Sequence, residues 1–237
     1  MFSSLGVFNG NYHARMRALF GSSMIGYYIG DEPSGAVATD YSGLAFNGAY
    51  TGVTLGQPGI GDGLTCPLYD GANDFTQPPA GFRSAFNGAE GTVFGHSKFT
   101  GAVWADGVVR DLFNFQADAN NRVRITKGIT LDQIGFNYTA GGTVEFFIST
   151  ILAGTLDFFY WAITWSKSGE IVVGYLNRAS AGSATALGIW VGTPAAATTI
   201  IGALNSTPVE VTDGLIAHVG VLNRAATPAE MAAAAVI

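Results

Sequence analysis

The sequence predicts an all-β chain folded as an antiparallel β-sandwich, with a short helix near each end. Three observations carry this reading. Short apolar segments with period-two alternation recur between turn signals from about residue 24 onward. The 33 glycines are scattered between those segments and follow no G-x-y period, which marks many turns and close backbone approaches and excludes collagen. Helical patterning is confined to residues 11–20 and to the last few residues.

Residues 1–23 are expected to form an arm outside the sandwich, with a short helix over 11–20 that places Tyr12, Met16, Leu19 and Phe20 where they could dock on neighbouring subunits. Gly21, Ser22, Ser23 and Gly26 break the apolar run after Arg15 and Arg17, so no secretory leader is expected. Residues 24–237 contain no Gly/Ser-rich or Pro-rich linker and are read as one sandwich. Val109–Gln116 runs through the polar turn 117–121 into Arg122–Thr126, where Arg-Val-Arg-Ile-Thr puts one face in the core and the other in water. Gln133–Tyr138 and Thr143–Phe147 flank Ala140-Gly141-Gly142 as a second hairpin, and Phe158–Trp165 and Ile171–Leu176 make a third. Thr198–Leu204 and Leu215–Leu222 complete the strands. Thr227-Pro228-Ala229-Glu230 then sets a hydroxyl, a proline and a glutamate at the spacing of a capping box, which opens a terminal helix.

Hydrophobic residues make up 48% of the chain and charged residues 12%, so apolar surface must be covered by more than a minimal core, and subunit contacts are the expected cover. A formal net charge of -6 with no basic run argues against nucleic acid as a partner. No stretch approaches the ~20 apolar residues that span a bilayer, so no membrane insertion is expected. The single cysteine, Cys66, cannot form an internal disulfide and reads as a small apolar filler.

Several segments, in order, resemble laminin-G-like and concanavalin A-like jelly rolls. Tyr27 to Gly35 with Asp40-Tyr41-Ser42 is similar to the family's aromatic strand and acidic turn, and Leu68 to Phe75 to its "DG-x-x-D" strand pair. Glu90-Gly91-Thr92 resembles its "EGT" strand, and Leu222 to Glu230 its closing "NRALT-x-x-E". Trp104-Ala105-Asp106-Gly107, Asp118 to Asn121 and Trp161 to Lys167 resemble the versions of this domain that phages and prophages encode. One departure is Arg178, which follows Asn177 where the family has glycine and implies a longer or differently shaped hairpin.

Glucanases on this fold set acidic residues at alternating strand positions to flank one glycosidic bond. No E-x-D-x-x-E occurs here, and Asp31-Glu32 are adjacent, so they would point to opposite faces of a strand. With His13, His96 and His218 isolated in sequence, the chain is expected not to be an enzyme. No cofactor is required by the sequence. Calcium is the inorganic ligand the resemblance allows, with Asp31, Asp40, Asp70, Asp74 and Asp213 as loop carboxylates, although such aspartates also form turns unaided. Trp104, Asp106, Tyr160 and Trp190 are the candidate carbohydrate contacts, Trp104 foremost because it adjoins a turn. Trp161 and Trp165 share a strand face and are expected in the core.

The phage-like resemblance implies a virion structural protein, a capsid decoration (cement) or tail-surface subunit, assembled in the host cytoplasm and displayed on the virion surface. Its partners would be the major capsid or other virion proteins and further copies of itself, a trimer being one symmetric arrangement. The alternative is a lectin-like adhesin or receptor-binding module for cell-surface glycan, because the fold alone does not choose between these roles.

Overall fold

The computed structural model describes residues 12–150 and 156–237. Helix α1 (Tyr12–Phe20) and a 3-10 turn lead into β1 (Met24–Tyr28), β2 (Val37–Ala38), β3 (Gly48–Thr51), β4 (Thr54–Pro58), β5 (Thr65–Asp70) and β6 (Phe75–Gln77). Helix α2 (Ala80–Ala85) precedes β7 (Glu90–Lys98), and helix α3 (Gly101–Ala105) precedes β8 (Arg110–Asp118), β9 (Asn121–Lys127), β10 (Gln133–Ala140) and β11 (Thr143–Thr150). The chain continues through β12 (Phe159–Ser166), β13 (Ile171–Leu176), β14 (Ala179–Thr185), β15 (Thr199–Ile201), β16 (Asp213–Leu222) and helix α4 (Pro228–Ala234).

The strands form two antiparallel sheets packed face to face. In the first the order is β14-β13-β12-β7-β16-β5-β4, with β1 also pairing β16; in the second it is β11-β10-β9-β8-β15-β6-β3-β2. The three hairpins read from the sequence are all present as β8–β9, β10–β11 and β12–β13. Asn177 takes φ +51, and Leu176 pairs directly with Ala179, so the turn at Arg178 is a tight two-residue one, which sets aside the longer of the two forms expected, a longer or a differently shaped hairpin. Asparagine tolerates the left-handed region, so no glycine is required there.

Between the sheets, residues of alternate parity interdigitate: Val123, Ile125, Phe136 and Tyr138 from the second sheet meet Val93, Trp161, Ile163 and Trp165 from the first. The two tryptophans sit opposite glycines, Trp161 against Gly95 and Trp165 against Gly91. A Cβ built on Gly95 would stand 2.5 Å from the Trp161 indole and one on Gly91 2.1 Å from the Trp165 indole, so each glycine makes the room its partner ring occupies.

The first sheet is covered on its other face too, which is why β1, β7 and β12 are nearly continuous buried runs and not alternating ones. Tyr12, Met16 and Phe20, four residues apart on α1, pack with Tyr27, Phe94, Tyr160 and Met231 of α4, and Leu19 packs against the same cluster. The Tyr12 hydroxyl donates to the Ala234 carbonyl at 2.8 Å, tying the two helices together. For the helical part this corrects the expectation of an arm outside the sandwich, since the apolar side chains of Tyr12, Met16, Leu19 and Phe20 lie on the chain's own sheet; residues 1–11 of that arm lie outside the described residues. Much of the high apolar content is thereby covered within the chain. Helix α4 begins with the expected capping box, Thr227 and Glu230 each accepting from the other's backbone N–H.

The second sheet is covered on only part of its outer face. Residues 202–212 fold back over β15 and β6, burying Phe75, Ile200, Ala203 and Val211 in a satellite cluster. The segment is pinned to β8 by Gly202 N–H to Leu112 O at 3.1 Å and Thr212 Oγ1 to Asp111 O at 2.6 Å. Beyond it no further segment of the described chain is seen to pack over β9, β10 and β11, where Val144, Phe146 and Ile148 are exposed while Thr126, Asn137 and Thr139 are buried among their neighbours.

Candidate functional site

The residues predicted as carbohydrate contacts do not come together. Trp104 is 1% exposed, because helix α3 turns its indole inward, edge-on to Phe99 with centroids 5.0 Å apart. It belongs to the core and cannot serve as a surface platform. Tyr160 is equally buried, on the outer face of the first sheet beneath α1 beside Phe94 and His96. Asp106 pairs with Arg110 at 2.7 Å and Lys127 at 2.6 Å. Trp190 is half-buried, packed on Gly88 and Phe86, with its Nε1 donating to Gly192 O at 2.9 Å.

The five candidate metal ligands are likewise dispersed, and among the described residues no three acidic, histidine or cysteine side chains are placed to hold an ion together. Asp40 accepts from the backbone N–H groups of Tyr27, Ser42 and Phe46 and from the Ser42 hydroxyl, so its oxygens are spent on shaping the turn. Asp70 accepts from Ala72 N–H at 2.9 Å, and Asp74 accepts from Asp70 N–H at 2.9 Å. Asp31 accepts from the Tyr41 hydroxyl, and Asp213 faces Arg110 at 3.7 Å. Cys66 is fully buried, and burial pushes its thiol up to about 12.

The open part of the second sheet carries an arrangement that the strand registers assemble. Three cross-strand rows run over β9, β10 and β11: Arg122–Thr139–Val144, Arg124–Asn137–Phe146 and Thr126–Gly135–Ile148. Their parity is opposite to that of the core residues Val123, Ile125, Phe136 and Tyr138, so all nine point away from the first sheet. In this grid lies a groove of about 280 Å³ lined by Arg122, Arg124, Thr126, Asn137, Val144 and Phe146. Gly135 makes room beside it, since a Cβ there would meet Thr126 Oγ1 at 2.9 Å and the Phe146 ring at 3.1 Å.

Apolar and polar walls differ in character. Val144, Phe146 and Ile148 are 60%, 56% and 48% exposed, forming one stripe along β11, which is a sheet edge. Asn137 is buried at the centre; its Oδ1 accepts from Arg122 Nε at 3.2 Å and from the Thr139 hydroxyl, while its Nδ2 donates to Glu145 O. Arg124 is clamped by Asp111 at 2.5 and 2.7 Å and also reaches Glu210, so the covering segment 202–212 is fastened to the groove's far wall. Asp111 is fully buried; burial raises its carboxyl to about 7 against the opposing pull of Arg124. Arg122 is also shifted, downward, by burial first and then by the neighbouring Arg124 charge. It remains a cation at any ordinary pH.

A larger cleft of about 470 Å³ lies beside β16 and β5, where Leu68, Leu156 and Leu215 mix with Gln57, Lys98, Thr100 and Asp213, and its one aromatic, Phe99, is buried. It lacks the exposed ring with convergent polar groups that the β9–β11 groove combines. The sequence signals for the groove were the wet parity of Arg122 to Thr126 and the apolar residues on both parities of 144–148. Neither run marks a site without the register that sets them side by side.

No protein-family model and no curated protein matches the chain. Among solved structures it is similar to the receptor binding domain of botulinum neurotoxin C/D mosaic serotype, with TM-score 0.68 and 13% identity over 90% of this chain and 51% of that one. It is also similar to the binding domain of Paraclostridial Mosquitocidal Protein 1, with TM-score 0.65 and 16% identity over 90% and 52% of the two chains. A Trypanosoma rangeli sialidase in complex with the inhibitor DANA aligns with TM-score 0.62 and 9% identity over 87% and 32%. The chain thus spans about half the length of the toxin domains it matches. At such identities the likeness establishes the jelly-roll sandwich and nothing finer.

Proposed function

We propose that this chain is a non-catalytic binding module that holds a saccharide in the groove across β9, β10 and β11. The observation that carries the reading is Phe146, a half-exposed aromatic ring at the edge of a groove whose other wall supplies Asn137, Thr126 and Arg122. A sugar presents an apolar ring face and a rim of hydroxyls, and an aromatic beside fixed hydrogen-bonding groups complements both. The fold neighbours support the reading, two of them being binding domains of toxins. The virion-subunit expectation rested on the phage-like resemblance, with a docking arm as a secondary support, and the packing of Tyr12, Met16, Leu19 and Phe20 on the chain's own sheet weakens that secondary support.

The test is an array of neutral and acidic glycans, followed by calorimetric titration of each hit. Binding is expected to persist in EDTA, because the residues lining the groove include no carboxylate to hold a divalent cation. Phe146→Ala is expected to weaken it about tenfold, roughly 1.4 kcal/mol, with thermal stability retained, and Gly135→Val to occlude the groove while displacing the Thr126 and Phe146 side chains its added carbons would meet. A blank array, or hits indifferent to both substitutions, would remove the groove from consideration.

A further inference from the structure

Arg122 differs from the other cations near this face. Arg124 has Asp111 and Glu210, Arg110 and Lys127 share Asp106, but among the described residues no carboxylate lies within ion-pair distance of Arg122. Its one hydrogen-bond partner is neutral: Nε donates to Asn137 Oδ1 at 3.2 Å. That bond fixes the guanidinium in the groove wall and leaves both terminal nitrogens without an acceptor among the described residues. A planar cation with two parallel N–H donors unspent, partly desolvated and held in place, is the complement of a carboxylate or sulfate. Asn137, buried and hydrogen-bonded to Arg122, Thr139 and the Glu145 carbonyl, makes the orientation part of the fold.

We propose that the groove selects a saccharide bearing a negatively charged carboxylate or sulfate, which pairs with Arg122 while a neighbouring sugar face lies on Phe146; this rests on the saccharide-binding reading above. Arg122 and Phe146 stand two strands and one row apart, which places their backbones roughly 12 Å from each other. The arginine side chain reaches diagonally toward Asn137, so the two contacts fall within a short oligosaccharide. The formal net charge of -6 disfavours a long polyanion at this surface and favours a ligand with its charge concentrated at one unit.

Two matched sets test this with the full chain: lactose against its 3′-sialylated and 3′-sulfated forms, and a neutral β-glucan oligosaccharide against its uronic-acid counterpart. The expected result is that an acidic member binds on the order of tenfold more tightly than its neutral parent. Arg122→Gln is expected to erase that preference, bringing the acidic member down to the affinity of its neutral parent measured on the same variant, and Arg122→Lys to keep part of it. The preference should also weaken as salt is raised. Sialylated and sulfated arms distinguish the two anionic groups. Neutral and acidic members binding alike through Phe146, or a preference that survives Arg122→Gln, would overturn the anionic assignment and leave the groove intact. Failure of every member to bind would overturn the assignment together with the saccharide reading.

Discussion

The Nε2 atom of His218 lies 3.2 Å from Oδ2 of Asp62, close enough to pair but off the line of a hydrogen bond, while its Nδ1 shares a 2.8 Å hydrogen bond with the Tyr27 hydroxyl. His218 occupies a β-bulge in β16 at φ +55, a conformation that costs a non-glycine residue energy and aims its ring beneath α1. All three histidines converge there: His218 and His96 flank the Tyr12 ring at 4.7 and 5.0 Å, and His13 stacks on Tyr27 at 5.6 Å. Burial alone would raise the Asp62 carboxyl, but His218 and the Leu64 N–H outweigh it and hold the group below its usual value.

Acid is expected to loosen this cluster through His96. The ring is fully buried between Tyr12 and Tyr160, and no described group hydrogen-bonds either nitrogen. Burial first, then His218 and Arg15, lower its pKa from 6.5 to about 3, with Asp62 opposing. The unfolded chain therefore binds the extra proton first, and the stability from neutral His96 is lost as pH falls below about 6.5, by about 2 kcal/mol at pH 5. Asp62, with its lowered pKa, acts in the same direction at lower pH. Asp111, raised to about 7, acts in the opposite direction, since its ionised form is the one the fold disfavours. The readout is accordingly a difference: in urea titrations, His96→Leu should gain about 2 kcal/mol relative to the parent between pH 7.5 and pH 5. Parallel pH slopes would remove His96 as the cause.

Removing Arg124 leaves the fully buried Asp111 carboxylate without its clamp. Arg124→Leu is expected to cost about 3 kcal/mol at pH 8. The loss should shrink near pH 5, where the orphaned carboxyl takes up a proton. Denaturant midpoints at the two pH values check both parts.

Gly95→Ala would drive a Cβ to 2.5 Å from the Trp161 indole. Because β7 is central and paired on both sides, the strand cannot step aside. A loss of about 2 kcal/mol is expected, with a changed near-ultraviolet circular dichroism spectrum from the displaced tryptophan.

The Cys66 thiol, raised by burial to about 12, should resist iodoacetamide at pH 8 in native protein and react fully in urea. Rapid native labelling, followed by intact mass, would show that β5 opens readily.

Much of the fold was legible because its signals are local. Arg122 to Thr126 alternates cleanly, Ala140-Gly141-Gly142 turns one hairpin, and Thr227 to Glu230 caps a helix within four residues. Strand β14 carried no such signal: alanine, serine and glycine at a sheet edge have little β propensity and owe their pairing to β13. Trp104 was misplaced because a single helical turn, Gly101–Ala105, reverses which way a residue beside a turn faces. Helix α1 had the pattern of a docking face, but which surface it meets depends on where β7 and β12 bring Phe94 and Tyr160. The groove was hidden for the same reason. Phe146 and Arg124 lie in one row only because Asn137 pairs with both.

That row structure separates two kinds of position on the same three strands. Val123, Ile125, Phe136 and Tyr138 hold the sandwich together from within, while Val144, Phe146 and Ile148 are exposed on the outer surface and Arg122 lines the groove beside them. A combinatorial library restricted to those outward positions would vary ligand preference over a scaffold whose interior packing stays constant, with Asp111 and Arg124 kept to anchor the border.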